Sequence, residues 1–236
     1  MRDLEERVRR AVSRFWRTRA SQSRRREHVG DRGARSAITG GRQMDGFIQL
    51  VHGLLIEAGT PPGSVKIGAR VTLPGWFRAE KSWDFAVVHG GELIAAVEFK
   101  SQIGPSFGNN FNNRTEEALG SATDLWAAFR EGAFSPSSRP VLGYLMLVED
   151  TPRSRAPVSI MEPHFAAFRD FHGASYCDRY RILVEKLIRD RLYDAACLLL
   201  AARTARPPGA FTEPHPELTF RRFMTPLLAR VRTITQ

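Results

Sequence analysis

Asp84, Glu98 and Lys100 are residue types in an order that suits phosphodiester hydrolysis. Two carboxylates offer hard oxygen ligands to a divalent cation, and a neighbouring ammonium can hold the attacking water and offset charge on a phosphorane-like transition state. The paired glycines Gly90 and Gly91, set between β-rich runs, predict a tight hairpin. Residues whose numbers sum to about 181 then pair across it, so Asp84 faces Val97 or, after a one-residue register change, Glu98. Glu98 and Lys100 are two apart on one strand and project from the same face, while Phe99 points into the opposite layer. The flanking segments Phe85–Val88 and Leu93–Val97 are apolar, so the charges end a buried strand pair instead of decorating a solvated face. Asp84, Glu98 and the Phe99 carbonyl make a plausible incomplete shell for Mg²⁺, which keeps water and takes its remaining ligands from phosphate. The competing account is a structural ion cluster at a strand end.

The elements that must position these groups follow from periodicity. Arg2 to Thr18 reads as an amphipathic helix with Leu4, Val8, Val12, Phe15 and Trp16 near one face, followed by a polar connector to Gly41. A core-facing helix spans Arg42 to Ala58 and is stopped by Gly59, Pro61 and Pro62. Extended runs follow at Val65–Leu73, Trp83–His89 and Glu92–Lys100, then a Gly- and Asn-rich loop, a helix from Thr115 to Arg130 and a buried strand from Val141 to Val148. The remainder reads as helices near Met161–Phe171, Tyr176–Ala202 and Glu217–Arg230, with Pro226 expected to kink or split the last.

The order helix, hairpin bearing the acids, helix, strand is that of PD-(D/E)xK nucleases, with Trp83 where the pattern usually has Pro. The stretch Ser82 to Trp126, SWDFAVVHGGELIAAVEFKSQIGPSFGNNFNNRTEEALGSATDLW, resembles the XhoI-type family of type II restriction endonucleases, most distinctively through FKSQIGPSFGNNFNNRTEEALG. The resemblance implies recognition of 5′-CTCGAG-3′ in double-stranded DNA and Mg²⁺-dependent cleavage of each strand after the first C, leaving 5′-phosphate ends. It carries the metal-binding acids and catalytic lysine onto Asp84, Glu98 and Lys100, and implies a cognate DNA methyltransferase within a restriction-modification system.

The segment from Ser101 to Arg114 leaves the catalytic strand directly and is rich in groups that read base edges. Asn and Gln amides pair with adenine, Arg bridges guanine acceptors, and Gly104 and Gly108 permit close backbone approach. Gln102, Asn109, Asn110, Asn112, Asn113 and Arg114 are therefore candidate DNA contacts. Capping of the next helix by Asn113 or Thr115 is the structural alternative. Glu116 and Glu117 are accounted for by the dipole at that helix's start. Glu57 reads either as an added acid of the metal site or as a surface glutamate.

The net charge of +10 is uneven: residues 1–35 hold twelve Arg against five Asp or Glu, so that segment alone carries 12 − 5 = +7. Such a basic arm suits a polyanion, with Arg24, Arg25 and Arg26 as phosphate contacts, although a solvated basic helix has the same composition. Cys177 and Cys197 lack CxxC spacing, which argues for free thiols over a zinc site. No apolar run is long enough to cross a bilayer and no secretory core precedes the arm, so a cytoplasmic location is expected.

The expectation is thus a restriction-endonuclease-like α/β fold with a mixed central sheet flanked by helices. A basic helical arm and connector (1–40), a PD-(D/E)xK catalytic core (41–150) and a helical C-terminal region packed on that core (151–236) form one compact domain. A palindromic target implies a C2 homodimer, with the Tyr176–Ala202 helix as one candidate element. Two rivals are a repair or structure-specific nuclease built on the same centre, and a non-catalytic DNA-binding protein whose acids form structural ion pairs.

Overall fold

A computed structural model of the chain describes residues 2–28, 42–68 and 71–234. Five strands form a central sheet in the order β1 (Val65–Ile67), β4 (Phe85–His89), β5 (Glu92–Gln102), β6 (Val141–Glu149) and β7 (Ala195–Ala201). The first three are antiparallel and the last three parallel, giving the mixed sheet of a restriction-endonuclease-like fold. A separate ribbon pairs β2 (Thr72–Pro74) with β3 (Glu80–Ser82).

Helices cover both faces. On one lie α1 (Arg2–His28), α2 (Asp45–Glu57) and α6 (Phe220–Arg232), packed on Phe85, Val87, Val97, Phe99, Leu145 and Cys197. On the other lie α3 (Phe107–Arg130) and α5 (Tyr176–Arg189), packed on Ala86, Ala96, Tyr144, Met146 and Leu198. A single turn, α4 (Pro152–Arg155), follows β6. The alternation along β5 from Ala96 onward drives this division: Val97 and Phe99 pack in the first layer and Ala96 in the second. No described helix is long and apolar enough to cross a membrane.

The hairpin turns at Gly90 and Gly91, both at positive φ (56° and 83°), as a tight turn between right-twisted strands requires. A bulge between Val87 and Val88 shifts the register, so Phe85 pairs with Val97 and Asp84, one residue earlier, comes to face Glu98. Of the two registers open to the sequence, the bulge selects the one that juxtaposes the acids.

Several elements differ from the sequence expectation. α1 continues ten residues past Thr18, because Arg, Ala, Gln and Ser carry the helix until the first glycine, Gly30, draws near. The rest of the expected connector, 29–41, lies outside the described residues. The Val65–Leu73 run breaks near Gly68 into strands of two different sheets. No helix forms over Met161–Phe171; only a 3₁₀ turn at Arg169–Phe171 appears, and Met161, Phe165 and Phe168 face solvent, so a helix there would have had no apolar stripe to bury. The expected Tyr176–Ala202 helix ends at Arg189, and its second half is β7, the parallel edge strand. The long helix offered as a dimer element therefore does not exist. Residues 151–236 are not only helical but complete the sheet, and Pro226 lies within one continuous helix, α6. Both cysteines are buried free thiols, Cys177 in α5 and Cys197 in β7.

Candidate active site

Asp84 precedes β4, and Glu98 and Lys100 project from β5 toward the layer of α3. The Lys100 ammonium lies 2.5 Å from Glu98 Oε2 and 3.8 Å from Asp84 Oδ2, bringing the three sequence-identified residues to one point. The Phe99 N–H donates to Asp84 Oδ2 at 2.8 Å. This bond stands in for the ladder beyond the end of β4. The N–H and C=O of a strand residue point the same way, so the Phe99 carbonyl also faces Asp84. Its ring packs in the opposite layer, edge-on to Phe85.

Glu98 is only 2% exposed, and a buried carboxylate requires compensating charge. Two ammonium groups supply it: Lys100 on one oxygen and Lys81, from β3, on the other. Burial would raise the Glu98 pKa, but these two cations hold it below its usual value. Asp84 behaves oppositely. Burial pushes its carboxyl up, Lys100 opposes this and the Glu98 charge adds to it. Burial would lower the Lys100 pKa, yet Glu98 and Asp84 hold the ammonium above its ordinary range. The neighbouring carboxylates thus differ electrostatically, with Glu98 the firmly ionised member.

Lys81 was not anticipated, because its approach depends on the β2–β3 ribbon folding over the end of β5. Its ammonium also lies 4.2 Å from the centre of the Trp83 ring. Above the centre opens a cavity of ≈ 420 Å³ lined by Arg78, Lys81, Lys100, Arg114, Glu116, Glu117, Gly120 and Ser121. Four cationic side chains in one cleft beside two carboxylates make a surface suited to an anionic backbone.

The Asn-rich segment is helix, not loop. α3 begins at Phe107, so Asn113 and Thr115 do not cap it; the Thr115 hydroxyl donates back to the Phe111 carbonyl at 2.9 Å. Tertiary packing overrides the weak helix propensity of Gly and Asn here: Phe107 stacks on Tyr176, and Phe111 meets Tyr180 edge-on. Asn109, Asn112 and Asn113 are exposed and Asn110 is partly so, and with Glu116 and Gly120 they continue one helical face away from the cavity. Arg114, half-buried, pairs with Glu117. Glu116 and Glu117 sit two turns or more inside the helix, too far from its start for the dipole to account for them.

Gln102 departs from its expected role. It is buried, its amide donates to the Ile103 carbonyl at 2.8 Å, and the Tyr180 hydroxyl donates to its Oε1 at 3.3 Å. It ties β5 to α5 and has no surface to offer DNA.

Arg24, Arg25 and Arg26 occupy the last turns of α1; Arg24 is exposed, and the side chains of Arg25 and Arg26 lie outside the described residues. One end of α1 is fixed by the bidentate Arg7–Glu57 pair, with both contacts at 2.7 Å. Near the other end, Arg19 donates to Gln43 at 3.0 Å, and Gln43 donates to the Ser101 hydroxyl at 3.1 Å. Ser101 follows Lys100 on β5 but points to the opposite face, so this chain of bonds ties α1 to the back of the strand that carries Glu98 and Lys100.

Glu57 is accounted for by Arg7 and takes no part in the acidic centre. Glu57→Ala is expected to leave DNA cleavage within about twofold of the parent and to cost at most about 1 kcal/mol of stability, since an exposed pair contributes little. Parallel digests and thermal melts check this.

Among the described residues no group of three or more His, Cys, Asp or Glu gathers as a metal site. Two carboxylates, Asp84 and Glu98, meet at this point, and with a backbone carbonyl they would make a hard, incomplete oxygen set of the kind Mg²⁺ accepts and soft metals do not.

Comparison with known proteins supplies the remaining observation. The family model described as restriction endonuclease XhoI matches residues 22–213. The chain is 48% identical over 208 residues to the type II restriction enzyme BstVI of Geobacillus stearothermophilus, covering 86% of this chain and 93% of that protein. It is 48% identical over 179 residues to the type II restriction enzyme XhoI of Xanthomonas vasicola (75% and 72% covered). To the type II restriction enzyme AbrI of Azospirillum brasilense it is 46% identical over 170 residues (71% and 76%). No solved structure matches the chain.

Proposed function

The chain belongs to the XhoI family of restriction endonucleases, and on that premise we propose that it hydrolyses both strands of duplex DNA at 5′-CTCGAG-3′, after the first C, with Mg²⁺ as cofactor. The observation that carries the chemistry is the convergence of Asp84, Glu98 and Lys100 beneath a cation-lined cleft. The specificity rests on the family resemblance of the segment Phe99 to Gly120.

In this reading Asp84, Glu98 and the Phe99 carbonyl would hold Mg²⁺, which would supply Lewis-acid polarisation to the phosphate being cut. Lys100 holds the hydrolytic water in line with the P–O3′ bond and offsets the charge that builds on the phosphoryl oxygens. Water oxygen bonds to phosphorus and releases a proton to solvent, the P–O3′ bond breaks with its electron pair going to O3′, and O3′ takes up a proton from solvent, so the ends are a 5′-phosphate and a 3′-hydroxyl. Lys81 keeps Glu98 ionised from its other side, and Arg114 offers a bidentate grip to a neighbouring phosphate. The exposed Asn109, Asn112 and Asn113, with Asn110 beside them, form the helical face that enters the major groove, where Asn amides pair with adenine N6 and N7. A palindrome cut on both strands calls for a symmetric pair of protomers. A methyltransferase of matching specificity would protect host DNA.

The test is digestion of an unmethylated plasmid bearing one CTCGAG, with Mg²⁺ and with EDTA, followed by sequencing of the ends. Linearisation after the first C in Mg²⁺ alone is expected. Cutting elsewhere would discard the inherited specificity, and intact plasmid in Mg²⁺ would discard the nuclease.

A further inference from the structure

The β2–β3 ribbon ends in a turn, residues 75–79. Trp76 is 55% exposed and Phe77 71%. Two large aromatics standing in solvent at a hairpin tip are not accounted for by folding, which gains only by removing them from water. Yet the turn is held by a device inside the protein. Asp124, a buried carboxylate in the middle of α3, accepts both the Trp76 and the Phe77 N–H on one oxygen, each at 2.8 Å. Its other oxygen lies 2.8 Å from Arg78 Nε. A side chain at Gly75 would collide with that carboxylate and lie 2.9 Å from the Arg78 carbonyl, so the backbone can approach Asp124 this closely only as glycine.

A charged group has thus been buried within α3 for the sake of a surface turn. Burying an ionised carboxylate is costly unless it is fully bonded, and what Asp124 secures is the geometry of three exposed side chains. The same turn borders the candidate active site: Arg78 lines the cavity with Lys81, Lys100 and Arg114, and Lys81 lies at the foot of the ribbon. The turn that carries the two aromatic rings therefore borders the cleft in which a scissile phosphate would lie.

The geometry points to the 75–79 turn as a preorganised DNA wedge: Arg78 holds a phosphate flanking the scissile one, while Trp76 and Phe77 pack against the sugars and bases of the same duplex. Apolar wedges at base steps and aromatic rings on base faces are established means of holding nucleic acid, and a rigid tip loses little entropy when it does so. The occupant is the substrate duplex, because Arg78, the residue after the two aromatics, lines the cleavage cleft with its other cations. This assignment rests on the nuclease reading above.

Trp76 provides the readout, since the other three tryptophans, Trp16, Trp83 and Trp126, are buried. Acrylamide quenching is measured on Lys100→Ala protein with Mg²⁺ and a duplex containing CTCGAG, while wild-type protein is tested for cutting the same duplex. Saturation with duplex is expected to abolish the acrylamide-accessible emission. Trp76→Ala/Phe77→Ala, both exposed, is expected to melt like the parent but to bind the duplex about tenfold more weakly. Cleavage by the wild type while Trp76 stays fully quenchable on the duplex would overturn the wedge alone. Wild type that neither binds nor cuts overturns the nuclease reading and the wedge with it. Shielding of Trp76 that grows with protein concentration, without DNA, would overturn the wedge in favour of a second copy of the chain.

Discussion

Lys100→Ala is expected to lower the cleavage rate by about 10²–10³-fold, the usual effect of removing one group that stabilises charge in a transition state, while the protein stays folded and still binds duplex. The structure gives the reason for the split. Glu98, 2% exposed, keeps Lys81 as a counter-ion when Lys100 is lost, so no unpaired charge is left in the interior. In the proposed reading, binding falls on Arg78, Arg114 and the α3 face, none of which is held in place by Lys100. Single-turnover cleavage at saturating enzyme, set beside an equilibrium binding isotherm for the same duplex, separates the two effects. Unchanged cleavage would show that Asp84, Glu98 and Lys100 form a structural ion cluster. Equal losses of binding and rate would place Lys100 on the ground-state phosphate instead of the reacting centre.

The part of this centre that could be read from the sequence depends on short-range geometry. Gly90 and Gly91 fix the turn, alternation fixes the face, and so Asp84, Glu98 and Lys100 could be brought together from spacing alone. What could not be read depends on distant partners. Lys81 and Arg78 reach the cleft because a two-stranded ribbon folds over β5, and that ribbon is secured by Asp124, more than forty residues along the chain. β7 was hidden for a different reason. AACLLLA is buried on both faces, as parallel strands are, and so shows no alternation, while its Ala and Leu favour helix. The start of α3 was hidden by composition: glycine and asparagine argue for a loop, and only the aromatic contacts of Phe107 and Phe111 with α5 outweigh them. The family resemblance could supply a function for this stretch but not its helical conformation.

The N-terminal helix carries the second large effect. Charge alone makes residues 1–35 look like an appendage, yet Val8, Val12, Phe15 and Trp16 are buried against α2, and Phe15 is 0% exposed in the same core cluster as Phe47, Phe85 and Phe99. Phe15→Ala would leave a void where an aromatic ring met Trp16 edge-on at 4.9 Å, and the expected cost is about 3–5 kcal/mol. In a chain of this length that lowers the melting temperature by about 10 °C. Truncating a solvated arm would change neither. The contrast matters for function because the Arg19–Gln43–Ser101 chain links this helix to the residue after Lys100. Loosening of α1 should therefore appear in cleavage below the melting transition as well as in stability. Calorimetry of Phe15→Ala alongside its cleavage rate at low temperature tests both halves. A melt unchanged from the parent would show that α1 is an independent arm, whereas a lower melt with normal low-temperature cleavage would confine the helix to a structural role.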